Sequence, residues 1–280
     1  MSLGSPLTFD FSGIQTTFHG LPAGVAQRLQ AEWSQFDAVS GQEPSRSKLI
    51  VHCVEDPPLQ NPGTFLPKAM RHTCDAERAE FSMPEGSVTV ERDGTATMRI
   101  RPVDEGRDFY TVCNLHRAAL SWSLPRFGAL LMHAAGIVVG DRGFVMVGAH
   151  GAGKTTWARI AMDAGYHVVS DDVVIVDGIG RGPQIVGAPL GSTLKVKYGR
   201  GRWPLTGILA ARHGDRHQLE PLSGIGIHAS VVANLPFIND AVENDRVLTD
   251  QVDRLIADVP AARLTFARDP GYLSLLEAWE

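Results

Sequence analysis

Gly148–Ala149–His150–Gly151–Ala152–Gly153–Lys154–Thr155 fits the phosphate-binding loop pattern G-x-x-x-x-G-K-[ST] at every fixed position. Just before it, Gly143–Phe144–Val145–Met146–Val147 is a short apolar run that reads as a buried strand. Just after it, Thr156 to Gly165 reads as a helix closed by a glycine. The spacing has a chemical reason. Glycines let the backbone approach phosphate oxygens with no Cβ in the way. Successive amide N–H groups and the helix N-terminus then point at the anion. Lys154 adds a charge for the β- and γ-phosphates, and Thr155 offers a hydroxyl to Mg²⁺. A chance glycine-rich turn is the alternative, and the strand–loop–helix order argues against it. The expected nucleotide-binding set is Gly148, Ala149, His150, Gly151, Ala152, Gly153, Lys154, Thr155 and Thr156, with His150 offering its backbone rather than its ring.

Bulk properties narrow the class. A chain of 280 residues suggests one large domain or two modest ones, and 44% hydrophobic residues suffice for an ordinary core. The formal charge of −5 gives no support to nucleic-acid binding. Cys53, Cys74 and Cys113 form no C-x-x-C pair, which argues against a metal cage and fits a reducing, cytoplasmic setting. Met1 to Phe11 has no basic start and no long apolar core, so no signal peptide is expected. Phe127 to Val147 is the most apolar region, but His133, Gly136 and the turn Gly140–Asp141–Arg142–Gly143 break it, so no membrane span is expected.

Upstream, residues 7–20 read as strands around a turn, and Pro22 to Phe36 as a helix with Val25, Leu29 and Trp33 on one face. Lys48 to Val54 reads as a strand, and Pro57 to Gly63 as a loop. Ser87 to Arg92, Asp93–Gly94, then Thr95 to Ile100 is a hairpin signal. Phe109 to Leu124 is helical in pattern. These elements predict a smaller N-terminal α/β domain, residues 1–125, of unassigned role. The remainder, 126–280, is the expected catalytic domain.

Gly136–Ile137–Val138–Val139 and Phe144–Val145–Met146–Val147 flank a tight turn, which predicts a hairpin feeding the phosphate loop. An antiparallel neighbour at that place departs from the helix-linked parallel sheet of ordinary phosphate-loop enzymes. Beyond the helix, Tyr166 to Ser170 and Val173 to Asp177 read as strands around Asp171–Asp172. One such carboxylate can hold a metal, and the other can accept a proton from an attacking hydroxyl. A polar turn between strands is the alternative. His133 precedes the hairpin and is either a satisfied core residue or a neighbour of the loop. Farther on, Pro189 to Arg202 gathers Lys195, Lys197, Arg200 and Arg202 among glycines, as a solvated loop or an arm for phosphate. Arg212, His213, Asp215, Arg216 and His217 form a polar loop. Asp240 to Val259 reads as an amphipathic helix, Ala262 to Phe266 as a strand, and Pro270 to Trp279 as a closing helix.

The run from His133–Ala134–Ala135–Gly136 through the loop to Gly165–Tyr166–His167–Val168–Val169–Ser170–Asp171–Asp172 resembles the catalytic domain of HPr kinase/phosphorylase, and the shorter HPr-kinase-related proteins more closely. The resemblance is clear from about His133 to Asp177. It implies a phosphoenolpyruvate-carboxykinase-like fold and an ATP- and Mg²⁺-dependent serine kinase. Its acceptor would be a serine on a protein or on a ribosomal peptide precursor, with a homo-oligomer compatible. By position, Asp171 would be the base, His133 and Lys154 would lie at the phosphates, and Thr155 and Asp172 would support the metal. Where the family has serine then glutamate after the lysine, this chain has Thr155 and Thr156, and Lys195 and Lys197 stand where an acidic ligand is usual. A non-catalytic nucleotide-binding module and a kinase of a small hydroxylated metabolite are the alternative functions.

Overall fold

The computed structural model describes residues 5–38, 47–60, 70–191, 194, 199–238 and 245–279. The chain forms two compact units, Met1–Phe127 and Gly128–Glu280. Each carries a mixed sheet with helices, so the class is α/β.

In the first unit, the elements are β1 (Leu7–Asp10), β2 (Ile14–His19), α1 (Ala23–Trp33), β3 (Ser47–Glu55), β4 (Arg71–Cys74), β5 (Arg78–Met83), β6 (Gly86–Glu91), β7 (Thr95–Ile100) and α2 (Glu105–Ser123). The seven-stranded sheet runs β1-β2-β3-β7-β6-β5-β4, with β2, β3 and β7 parallel and the rest antiparallel. Alternation does what the sequence demands: Ile14, Thr16 and Phe18 are buried while Gln15, Thr17 and His19 are not. Val25, Leu29 and Trp33 form the buried face of α1, as their four-residue spacing requires. The Asp104 carboxylate caps α2 by accepting from the Arg107 amide. Of the Pro57 to Gly63 loop, residues 61–63 lie outside the described residues.

The second unit contains β8 (Ala129–Met132), β9 (Ala135–Val139), β10 (Arg142–Val147), α3 (Lys154–Asp163), β11 (His167–Ser170), β12 (Val174–Asp177), β13 (Gln184–Val186), β14 (Arg202–His213), β15 (Gln218–Pro221), α4 (Ile225–Val232), α5 (Arg246–Asp258), β16 (Ala261–Phe266) and α6 (Tyr272–Glu277). The main path is β11-β9-β10-β14-β13-β12-β8, and β16 joins β14 to β15. β9 and β10 form the expected hairpin, with Arg142 opposite Val139. On its other side β10 runs parallel to β14. Arg142 then reaches α6, where its guanidinium donates to the carbonyls of Leu276, Glu277 and Trp279 and caps that helix.

β11 and β12 do not pair with each other. β11 joins β9, while β12 lies between β13 and β8 near the opposite end of the path. The link between them is only Asp171–Asp172–Val173, which spans at most about 14 Å. The sheet must therefore curl until its two ends approach. The acid pair sits at that closure.

Residues 129–132, for which no element was expected, form a strand. Two expectations are corrected here. Arg212 and His213 close β14 rather than belonging to a loop, because parallel pairing with β16 continues to His213–Phe266. Arg202 belongs to β14, where its guanidinium joins the buried Asp177 carboxylate and donates to Gln184, so it is no part of a solvated arm. The amphipathic helix begins at Arg246, capped by Asp245. Its Val247 is 39% exposed, whereas Leu248, Val252 and Leu255 are buried. Lys195 and Lys197 fall outside the described residues. Among the described residues no helix is long and apolar enough to cross a membrane.

Candidate functional site

Strand direction brings the candidate residues to one end of the second sheet. The loop leaves the C-terminal end of β10, and β14 and β16 run parallel to that strand, so His213 and Phe266 end beside it. β9 is antiparallel, so its start, and His133 before it, lie at the same end. The end of β11 pairs at Gly136, which puts Asp171–Asp172 there too.

The loop itself has the geometry that its glycines permit. Gly153 is the residue before α3 and adopts φ +100°, in the left-handed region. A Cβ there would meet His213 Cε1 at 2.8 Å and Phe266 Cζ at 3.1 Å. Gly148 is needed for closeness instead: a Cβ would lie 2.9 Å from the Ala152 Cβ. The helix then starts at Lys154, which aims the first amides of α3 at the loop's concave side. Thr155 and Thr156 are partly buried in that first turn.

Lys154 is 6% exposed. Its Nζ donates to the Gly148 carbonyl at 2.6 Å, with the Ala149 carbonyl farther off at 3.4 Å. Burial lowers its pKa from the ordinary lysine value, and the charge of Asp172 acts in the opposite direction. His133 Nδ1 lies 3.2 Å from Asp172 Oδ1, and both side chains are partly exposed, at 40% and 33%. Asp171 is different. It is 2% exposed, and its Oδ1 accepts from the Leu194 amide at 3.4 Å. Ser170 braces the turn, its hydroxyl donating to the Gly191 carbonyl and receiving the Asp172 and Val173 amides.

His133 and Asp172 are thus in contact at the sheet end that also carries Lys154, and Asp171 is buried. Two further residues contact the loop and carried no usable signal in the sequence. His213 Nε2 lies 3.1 Å from the Gly151 carbonyl, so that nitrogen carries the proton. Asn234 accepts from the Gly148 amide through Oδ1 at 3.3 Å. Among the described residues no three of His, Cys, Asp and Glu gather into a metal cage.

No family model matches the sequence, and neither does any curated protein. Among solved structures, the Hpr(Ser) kinase/phosphatase from Coxiella burnetii aligns over 53% of this chain and 87% of its own, at 14% identity and a TM-score of 0.28. A superposition that loose carries no functional weight. The chemistry of the site has to be read from its own residues.

Proposed function

We propose that this chain is an ATP-dependent serine kinase of the HPr-kinase-like type, with a phosphoenolpyruvate-carboxykinase-like catalytic domain at 126–280. Its acceptor is a serine on a protein or on a ribosomal peptide precursor. The observation that carries this reading is the placing of the glycine loop with its buried Lys154 and of the His133–Asp172 contact at the same end of one sheet.

The residues fit a magnesium nucleotide. Mg²⁺ in such sites takes one or two protein ligands and completes its shell with phosphates and water. Thr155 is the donor that this chain would offer, with Asp172, the metal ligand expected from the resemblance, kept instead for the acceptor hydroxyl. Bound Mg·ATP supplies the transferable phosphoryl group and a cation that neutralises its charge. The chain contributes positioning and electrostatics. The loop amides and Lys154 hold the phosphates, and His133 adds a ring nitrogen at their edge.

The base for the acceptor hydroxyl is expected at Asp171 from the resemblance. Exposure favours the neighbouring acid. A base has to come within hydrogen-bond reach of the proton it takes, and Asp172 is the member of the pair that is partly exposed and touches His133, whereas Asp171 is buried. We therefore assign proton acceptance to Asp172, and to Asp171 the task of holding the segment at Leu194.

The test is incubation of the chain with γ-labelled ATP, Mg²⁺ and serine-containing peptides or candidate phosphocarrier proteins. Acid-stable label on serine, absent with Lys154→Ala, is the expected result. Tight ATP binding with no label on any peptide, protein or hydroxylated metabolite would reduce the chain to a nucleotide-binding module.

A further inference from the structure

Asn234 lies just past the end of α4, far from the loop motif in sequence, and is 5% exposed. All of its polar groups are engaged. Its Oδ1 accepts from the Gly148 amide at 3.3 Å, and its Nδ2 donates to the Ser230 carbonyl at 2.8 Å. Its own amide donates to the Val231 carbonyl at 3.0 Å, and its carbonyl accepts from the His133 amide at 2.7 Å. A donor on one side and an acceptor on the other permit only one orientation of the carboxamide.

The two ends of this residue reach the two halves of the site. Gly148 opens the phosphate loop, and its carbonyl receives Lys154. His133 faces Asp172. We propose that Asn234 is a positioning residue that sets the distance between the phosphate loop and the His133–Asp172 pair. It touches neither reactant and acts through Gly148 and His133. This inference rests on the kinase reading for its activity readout, but not for its structural one.

The separation matters because in-line transfer depends on alignment, and a misplacement of about 1 Å can cost roughly a hundredfold in rate. Buried, fully bonded carboxamides also hold one geometry rather than several. Asn234→Ala frees the Gly148 end and keeps the backbone carbonyl that receives the His133 amide, so nothing then ties the two halves together. It should lower kcat roughly ten- to a hundredfold while KM for Mg·ATP changes less than about threefold. A role in stability alone would lower the melting temperature and leave kcat of the folded variant unchanged.

The structural readout is the amide resonances of Gly148 and His133. The Gly148 resonance should move in Asn234→Ala, without added nucleotide, and the His133 resonance should move less, because its acceptor is the retained main-chain carbonyl. Asn234→Asp keeps an acceptor for the Gly148 amide but loses the donor to Ser230. It should hold the Gly148 resonance nearer its wild-type place and lose less kcat. It also serves as the test if the alanine variant does not fold. Wild-type kcat in either folded variant, or lost kcat with the Gly148 resonance unmoved, overturns the proposal. If the wild-type chain binds Mg·ATP and phosphorylates nothing, the kinase reading fails, and the resonances alone decide the role of Asn234.

Discussion

His133 Nδ1 and Asp172 Oδ1 lie 3.2 Å apart, although one residue precedes β9 and the other follows β11. With the imidazole neutral, this contact holds the proton on Nδ1 and leaves Nε2 as an acceptor. The second acid, Asp171, is buried and turned to Leu194. On the proposed reading the pair divides into a working carboxylate, Asp172, and a supporting one, Asp171. Asp172→Asn should reduce kcat by roughly two orders of magnitude or more, the scale of a lost general base. Asp171→Asn should act first on stability and less on kcat. Thermal melts and single-turnover phosphoryl transfer on both variants check this. The opposite ranking would return the base to Asp171.

On the proposed reading Lys154 holds the nucleotide phosphates. Burial lowers its pKa, and Asp172 counteracts that effect. A lysine binds phosphate as a cation, which exists below its pKa. Nucleotide affinity should therefore fall as pH rises through that pKa. Asp172→Asn removes the counteracting charge, so the fall should begin at lower pH than in wild type. Titrating Mg·ATP affinity against pH on both proteins tests this. Superimposable alkaline limbs would show that the two charges do not communicate.

Gly153 and Gly151 separate two costs that a loop glycine can carry. Both have positive φ, +100° and +78°. A Cβ on Gly151 meets nothing within 4 Å, whereas one on Gly153 meets the rings of His213 and Phe266. Gly151→Ala should cost only the left-handed strain, about 1–2 kcal/mol. Gly153→Ala should cost that and displace His213 from the Gly151 carbonyl, abolishing measurable ATP binding. Calorimetric titration of Mg·ATP into each variant checks the ranking. Equal affinities would mean that the ring contacts do not constrain the loop.

What was legible in the sequence was local. The phosphate loop, the β9–β10 hairpin and the β6–β7 hairpin each place their signals within a few consecutive residues. The mixed α/β class followed from them. β14 was not legible: Pro204 and Gly207 interrupt its apolar run, and its pairing with β10 and β16 draws on distant residues. His213 was hidden with it. The strands on either side of Asp171–Asp172 were each readable, but not their separation. A three-residue link looks like a hairpin turn, and only the curl of the whole sheet sends β11 and β12 to different partners. Asn234 offered no local cue, because its role arises from contacts with Gly148 and His133 that no sequence period encodes.

The first unit contains a titratable group with a consequence for stability. His116 on α2 is fully buried among Phe11, Phe18 and Trp33. Its Nε2 bonds the Thr16 hydroxyl at 3.0 Å, and its Nδ1 has no hydrogen-bond partner among the described residues. Burial pushes its pKa down to about 3, with the Arg117 charge adding to the effect. The folded unit therefore holds the ring neutral, while the unfolded chain takes up a proton near the ordinary histidine value of about 6.5. Below that pH the unfolded state binds more protons, so stability falls as pH drops and stops falling from this cause only near pH 3. The full loss is on the order of a few kcal/mol. His116→Gln keeps a partner for Thr16 and removes the titration. Urea unfolding of wild type and variant between pH 7 and pH 4 should show a shallower pH dependence in the variant. Parallel curves would mean that the ring is reached by water, or protonated, in the native state.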